Sequence, residues 1–91
     1  MAANFHVDTG TGTNGELCLK LCGDFDGTSA LELANLLNIY AKSNHRIFLD
    51  TSGLKEVWAF GRAVFEDECE GLQEVRSGAT ELVVTGEKLT L

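Results

Sequence analysis

Hydrophobic and polar residues alternate strictly over residues 16–22, which read Glu-Leu-Cys-Leu-Lys-Leu-Cys. Successive side chains of a β-strand point to opposite faces of the sheet, so this alternation predicts a strand whose leucines share one face. These leucines, which we expect to point into the core, are Leu17, Leu19 and Leu21. Residues 5–7, Phe-His-Val, predict a shorter strand before it. The glycines and the Asn-Gly pair of residues 9–15 predict a hairpin connection between the two strands.

Apolar residues that recur every three or four positions over residues 30–41 predict an amphipathic helix. Its stripe consists of Ala30, Leu33, Ala34, Leu37, Tyr40 and Ala41. Residues 23–27 are expected to form the preceding loop. Thr28 or Ser29 is the predicted cap, because Ser29 followed by Glu32 fits the capping box.

The remaining pattern predicts a strand, a second helix and a last strand. The run Ile-Phe-Leu at residues 47–49 lacks alternation, as expected for a strand covered on both faces. Apolar residues recur at a helical spacing from about Ala59 into the mid-70s, which predicts a helix with one apolar face. That face consists of Gly61, Phe65, Cys69 and Leu72, with Val64 and Val75 beside it. Residues 81–85, Glu-Leu-Val-Val-Thr, predict the last strand.

This order of elements predicts an α/β domain with a mixed sheet: an N-terminal hairpin, then parallel strands joined by right-handed crossovers. We expect the helices to pack mainly on one face, in a single domain over residues 1–91. In such folds the natural site lies in loops at the carboxyl ends of the strands. Two segments meet that description, residues 23–28 and residues 50–59.

Charge and composition narrow the classes of partner. The net charge of −7 is opposite to what a phosphate backbone attracts, so we expect no nucleic acid. No apolar run approaches the roughly 20 residues of a membrane span, and residues 1–6 lack the charged start and apolar stretch of a secretory signal. A cytoplasmic protein without a membrane partner is the expectation.

The cysteines and histidines do not predict a metal site or a cofactor. Cys18 and Cys22 would lie about 13 Å apart along a strand, and a disulfide needs Cα atoms within about 7 Å. The CxxC spacing common in zinc sites is missing, and His6 and His45 have no sequence neighbour of ligand spacing. We expect reduced, structural thiols and surface histidines.

Three stretches resemble the STAS domain of the anti-sigma-factor antagonist family. They are LKLCGDFDGTSALELANLL, RIFLDTSGLKEVWAFG and ELVVTG, and the resemblance covers about residues 16–86. It implies a STAS-like fold, a bacterial cytoplasmic regulator of transcription, and a protein partner such as an anti-sigma factor kinase. The family usually continues past its fourth strand with further elements, so this chain resembles a C-terminally short version. Either it is a minimal form of the domain, or a partner or a second copy covers the exposed side of the sheet, and the second copy would make a homodimer.

The family's phosphoacceptor motif, Asp-Ser-Ser-Gly, begins the helix that follows the strand ending in Leu-Asp. At that place this chain has Trp58, Ala59, Phe60 and then Gly61, so the acceptor position is Ala59, which has no hydroxyl. The resemblance therefore implies that no phosphorylation occurs there. The alternative is a shifted acceptor, Thr51 or Ser52, within Asp-Thr-Ser-Gly.

A protein-binding module is the leading functional prediction. Its predicted partner-binding residues are Asp24, Asp26, Thr28, Lys55, Trp58, Ala59, Phe60 and Arg62. Two interpretations of the aromatic pair stay open: one or both of Trp58 and Phe60 enter the core, or they form an exposed anchor for a partner. The aspartates at 24 and 26 either serve the loop and the helix cap or face the partner.

An enzyme is the least favoured class. Ser52 has no histidine that the sequence would bring near it as a base. Asp24, Asp26 and Asp50 could converge at the strand ends, but acid–base catalysis also needs a pocket, which a chain of 91 residues barely provides.

Overall fold

The computed structural model describes residues 4–12 and 16–89. In chain order the elements are β1 (His6–Thr11), β2 (Leu17–Phe25), α1 (Gly27–Tyr40), β3 (Arg46–Val57), α2 (Ala59–Glu70), α3 (Gln73–Arg76) and β4 (Glu81–Thr85). The last strand coincides with its predicted bounds. Residues 13–15, the tip of the predicted hairpin connection, lie outside the described residues.

The strands form one sheet in the order β1-β2-β3-β4. β1 runs antiparallel to β2, whereas β2, β3 and β4 are parallel to one another. A parallel neighbour requires a crossover, which α1 provides between β2 and β3 and which α2 and α3 provide between β3 and β4. The prediction of a mixed α/β sheet with an N-terminal hairpin is confirmed.

The core lies between one face of this sheet and helices α1 and α2. Leu19 and Leu21 of β2 and Leu49 of β3 are fully buried in it. The same cluster contains most of the two predicted helix stripes, and three of their members, Tyr40, Val64 and Val75, are only partly buried against it. Leu17 is also only half-buried. The three leucines therefore share the face that was predicted, but the first of them is still partly exposed to solvent.

The opposite face of the sheet, which we call the open face, carries Cys18 and Lys20 of β2 and Phe48 and Asp50 of β3. These residues are only half-buried or exposed. The expectation that residues 47–49 are covered on both faces is therefore wrong. Ile47 and Leu49 face the helices, but Phe48 shares the open face with Cys18 and Val83, its register partners on the adjacent strands.

The strands are longer than the sequence pattern indicates, which corrects the predicted loops. β3 continues to Val57, so most of residues 50–59 is strand, and β2 continues to Phe25 through most of the predicted loop at residues 23–27. Gly53 allows this extension, because a Cβ there would lie 2.7 Å from the carbonyl oxygen of Leu21 on the neighbouring strand. The β2–β3 register shifts between Lys20 and Cys22, next to this close approach.

Both long helices depart in detail from their predicted ends. α1 begins one residue after Asp26, whose Oδ1 accepts the backbone N–H of Ser29 at 2.9 Å. The predicted Ser29–Glu32 capping box is wrong, because an aspartate upstream offers the same amide a charged acceptor. The predicted second helix divides at Gly71 into α2 and the single turn α3, with Leu72 buried between them.

The three cysteines are free thiols, and Cys69 is the buried one. Burial raises the pKa of the Cys69 thiol to about 12, and the nearby charge of Glu68 acts in the same direction. Cys69 is therefore a packing residue of α2 that stays protonated at neutral pH. None of the described helices is long and apolar enough to cross a membrane.

Candidate functional site

The N-terminus of α2 is held against the junction of β2 and α1. The backbone N–H of Trp58 donates to the carbonyl oxygen of Phe25 at 3.0 Å. Gly61 is buried there, and a Cβ on it would lie 2.7 Å from the same carbonyl oxygen and 2.8 Å from the carbonyl carbon of Asp26. The two segments that the sequence predicts as a shared site, residues 23–28 and the start of the second helix, are thus brought together.

Both aromatic side chains at this junction are exposed. Trp58 exposes 47 % of its surface and Phe60 exposes 72 %. The ring of Phe60 lies over Gly27, with the position of a Cβ on Gly27 only 2.8 Å from two of its carbons. Of the two readings left open by the sequence, the exposed one describes the structure.

A shallow groove of about 550 Å³ runs beside Phe60 between α1 and α2. Its lining residues are Asp26, Gly27, Thr28, Leu31, Phe60, Val64, Asp67 and Glu68. Most of the lining surface is apolar, and three of the lining residues, Asp26, Asp67 and Glu68, carry carboxylates, which we call the acidic rim. An apolar centre with an acidic rim suits a protein surface that presents a hydrophobic side chain among basic ones.

Five lining residues are not among the predicted partner-binding residues: Leu31, Val64, Asp67, Glu68 and Gly27, the last of which lies within the predicted segment 23–28. Leu31 carried a usable signal in the sequence, because it is an apolar residue that lies outside the core stripe of α1. In the structure its side chain is 48 % exposed. The acidic pair on α2 had no such signal, because a run of charges on a helix also fits an ordinary solvated face.

The predicted site residues divide into two groups. Asp26, Thr28 and Phe60 line the groove, and Trp58 and Ala59 are exposed next to it at the start of α2. The other three, Asp24, Lys55 and Arg62, do not line it.

The contacts of this second group lead away from the groove. The amide of Asp24 donates to Oδ1 of Asn4 at 3.2 Å. Arg62 donates from Nη2 to the carbonyl oxygen of Lys88 at 3.4 Å. Lys55 is exposed near the end of β3.

Asp26 has a structural task as well as a place on the groove. Its Oδ1 accepts both the N–H and the hydroxyl of Ser29, each at 2.9 Å. Ser29 also donates its hydroxyl to the carbonyl oxygen of Asp24 at 3.2 Å. The capping role considered for Asp26 is therefore present, and its carboxylate is a fixed part of the groove rim.

The two alternative acceptor hydroxyls lie in β3, away from a helix N-terminus. Thr51 is fully buried; its Oγ1 donates to the carbonyl oxygen of Thr85 at 2.6 Å and accepts the N–H of Lys88 at 3.0 Å. Ser52 is exposed, and its Oγ donates to Oδ1 of Asp50 at 2.7 Å. The bonds of Thr51 join β3 to the end of β4 and to the chain that follows it, and the bond of Ser52 lies within β3.

A larger depression, of about 1040 Å³, lies at the opposite end of the sheet, around the amino ends of β3 and β4. It is open and polar, and the charges at its edge are paired: Arg46 contacts Glu81 at 2.8 Å and Glu16 at 3.2 Å. Within residues 4–12 and 16–89, no buried side-chain nitrogen or oxygen lacks a hydrogen-bond partner. The groove beside Phe60 is the better candidate site, because three of the predicted partner-binding residues line it and none of them lines the larger depression.

This chain is similar in fold to a solved structure described as an antisigma-factor antagonist, STAS domain from Rhodobacter sphaeroides. The two superpose with a TM-score of 0.67 over 97 % of this chain and 98 % of that one, at 15 % sequence identity. The fold is STAS-like. This confirms the fold implied by the resemblance, and at such low identity the likeness establishes the fold alone.

This chain also superposes on part of two crystal structures of a larger protein, Mglu. One superposes with a TM-score of 0.69 at 14 % identity over 93 % of this chain. The other, in its native form, has a TM-score of 0.63 at 11 % identity over 84 % of this chain. The chain spans only about a fifth of the length of Mglu. No family model and no curated protein matches the chain.

Proposed function

We propose that this protein is a regulatory module that binds a protein partner through the groove beside Phe60, without a phosphorylation switch at Ala59. The observation that carries the proposal is the exposure of Trp58 and Phe60 next to an acidic-rimmed apolar groove. Exposed aromatic residues beside a pocket are the side chains that dominate protein interfaces. The STAS-like fold supports a regulatory role, since the R. sphaeroides domain with this fold is described as an antisigma-factor antagonist.

The partner would present an apolar side chain to the groove and basic side chains to its rim. Asp26, Asp67 and Glu68 give that rim three carboxylates. Charges at an interface rim act mainly on the association rate and on the choice of partner, whereas the buried centre supplies affinity. By analogy with the antagonist domain we propose an anti-sigma factor kinase as the class of partner, in the cytoplasm of a bacterium.

Loss of the switch follows from the chemistry of residues 58–60. A phosphate on a side chain at the first turn of α2 would be favoured by the free amides there and by the helix dipole. Ala59, the first residue of α2, has no oxygen to carry a phosphate. The flanking Trp58 and Phe60 make the helix start apolar, which favours a permanent contact over one that charge would release.

The alternative function, a switch at Thr51 or Ser52, has less support. A kinase could reach the hydroxyl of Thr51 only after β3 and the chain following β4 had separated, since that hydroxyl is buried between them. A phosphate on Ser52 would place new negative charge beside Asp50, whose carboxylate already accepts from that hydroxyl.

A catalytic role is not part of the proposal. Of the three carboxylates considered as acid–base groups, Asp50 pairs in register with Lys20 within the sheet, and Asp26 caps α1.

The test begins with isolation of the partner on the immobilised protein from its source cells. Its affinity is then measured by calorimetry for the wild type and for Trp58→Ala, Phe60→Ala and Ile39→Ala. We expect the first two variants to lose about 2 kcal/mol or more of binding free energy, as anchor residues do. Ile39, which is 62 % exposed on α1 and does not line the groove, is the matched control and should lose nothing.

The same complex tests the absence of the switch. After incubation with the partner and ATP, intact-mass measurement should find no added phosphate. Stoichiometric phosphate on Thr51 or Ser52 would contradict the proposal and favour the alternative.

Unfolding of Trp58→Ala, with unchanged affinity in the folded remainder, would assign that ring to the core and refute the site.

The homodimer expected from the sequence remains a prediction. The open face places Cys18, Phe48 and Val83 side by side on neighbouring strands, as a row of half-buried apolar residues. Sedimentation of the wild type and of Phe48→Glu tests it, because a dimer through this row should dissociate in the variant.

A further inference from the structure

Three metal-ligating side chains meet on the open face at the β1–β2 hairpin. His6 is the register partner of Cys22 in the antiparallel pair, and Asp8 follows His6 by two residues on the same face of β1. One imidazole nitrogen, one carboxylate oxygen and the thiol sulfur lie within 4.8 Å of one another. Oδ2 of Asp8 is 3.8 Å from Nε2 of His6 and 4.0 Å from Sγ of Cys22.

These separations are close to those that a single zinc ion imposes. With ligand bonds of about 2.0–2.3 Å and tetrahedral angles, neighbouring donor atoms stand about 3.3–3.7 Å apart. The two distances from Oδ2 of Asp8 therefore need to shorten by a few tenths of an ångström, and the distance between the imidazole nitrogen and the thiol sulfur, which is within 4.8 Å, by up to about 1.2 Å. His6 and Asp8 are exposed and Cys22 is half-buried, so their rotamers can make that adjustment without disturbing the core.

A contact of the other ring nitrogen with the backbone independently orients the histidine. Nδ1 of His6 lies 3.4 Å from the backbone oxygen of Asn4. With its proton on Nδ1 the ring donates to that oxygen and turns the lone pair of Nε2 toward Asp8, as in histidines that bind zinc. Asn4 is itself held in place, because its Oδ1 accepts the amide of Asp24 at 3.2 Å.

We propose that His6, Asp8 and Cys22 bind one zinc-class divalent ion per chain. An imidazole, a thiolate and a carboxylate are the donors that Zn²⁺ selects, and three protein ligands leave a fourth position for water or another donor. The ion would fasten β1, an edge strand exposed at most of its positions, to the centre of the sheet. The sequence predicted no metal site because its ligand spacing is absent along the chain; strand pairing creates that spacing.

The experiment uses the full chain with its thiols kept reduced. Zn²⁺ affinity is measured by competition with a chromophoric chelator, and Co²⁺ serves as a spectroscopic probe of thiolate ligation. We expect one ion per chain, a thiolate-to-cobalt charge-transfer band, and affinity at least about tenfold weaker in His6→Ala, Asp8→Asn and Cys22→Ser.

Matched controls are available on the same chain. Cys18→Ser changes a half-buried thiol on the same face of the same strand, and His45→Ala removes the other histidine; neither belongs to the cluster. Both should bind as the wild type does. Circular dichroism verifies that each variant is folded before its affinity is compared.

Three results would overturn the site. A charge-transfer band that persists in Cys22→Ser would assign the thiolate elsewhere. Affinity unchanged in folded His6→Ala would remove the histidine ligand. A stoichiometry of one ion per two chains would show that the ligands come from different molecules. Partner binding in the presence of a chelator is measured separately, so the failure of this site leaves the proposed function standing.

Discussion

The ring of Phe60, at the start of α2, lies directly on the backbone of Gly27, at the start of α1. This contact packs the two helix starts together. A Cβ at Gly27 would stand 2.8 Å from Cδ2 and Cε2 of that ring. Gly61, the next residue after Phe60, meets main chain instead: a Cβ there would stand 2.7 Å from the oxygen of Phe25 and 2.9 Å from Cα of Asp26. A side chain added at Gly27 can thus be accommodated by movement of an exposed ring, whereas one added at Gly61 would collide with packed main chain.

Alanine substitutions at these two glycines should affect different properties, the stability of the fold at Gly61 and partner binding at Gly27. Gly61→Ala should lower the free energy of unfolding by about 1–3 kcal/mol, as overpacking does, because α2 must move away from the β2–α1 junction. Gly27→Ala should change it by no more than about 0.5 kcal/mol and should instead displace the Phe60 ring and weaken partner binding. Urea unfolding and calorimetry separate the two effects. Equal stability of Gly61→Ala and the wild type would contradict the packing.

Truncation of the leucine face of β2 should depend on position. Leu19→Ala should cost about 2–5 kcal/mol, because Leu19 is fully buried between the sheet and the helices. Leu17→Ala, the same chemical change two residues earlier at a half-buried position, should cost clearly less. Chemical denaturation measures both. A loss within half a kilocalorie for Leu19→Ala would mean that β2 is wrongly placed.

Asp26 allows its charge to be separated from its cap. Asp26→Ala removes the acceptor of the Ser29 amide and should cost about 1 kcal/mol of stability. Asp26→Asn keeps an oxygen at that position, so most of the stability should survive, while association with a basic partner slows and loses salt dependence. Asp67→Asn removes a groove carboxylate without touching the cap and serves as the control for stopped-flow rates. Unchanged rates in both asparagine variants would argue against an acidic docking rim.

The carboxylate of Asp50 should titrate below its ordinary value of 3.8. Hydrogen bonds from the hydroxyl and the amide of Ser52 hold its pKa down, helped by the charge of Lys20, and slight burial opposes them. Because the folded-state pKa is depressed, the stability contributed by Asp50 is present above pH 3.8 and is lost as the pH falls through the folded-state pKa.

Carboxyl NMR titration measures this shift. Ser52→Ala removes its largest cause and should bring the pKa of Asp50 closer to 3.8. Ser77→Ala removes a hydroxyl that donates to the backbone carbonyl oxygen of Glu74, and it should leave the titration of Asp50 unchanged. Titration of Asp50 at or above 3.8 in the wild type would refute the hydrogen-bonded arrangement.

Local pattern was sufficient for the class of fold and for most of the core. Alternation at Leu19 and Leu21, a period of three to four through Leu33 and Leu37, and the run at residues 81–85 each reflect one geometry repeated along a segment. Such periodicity is a property of neighbouring residues, so it is visible in the sequence. The exposure of Trp58 and Phe60 was left open, because two aromatic residues at a helix start fit either a core or a surface.

Tertiary structure decided what depends on residues far apart in the chain. β3 extends to Val57 because Gly53 lets its backbone approach β2, and Leu31 becomes part of a groove only when α2 packs beside α1. His6 acquires Cys22 as a neighbour only through the register of β1 with β2. The physical reason is common to all three: sequence spacing specifies which face of its own element a side chain occupies, and the pairing and packing of elements specify what it meets there.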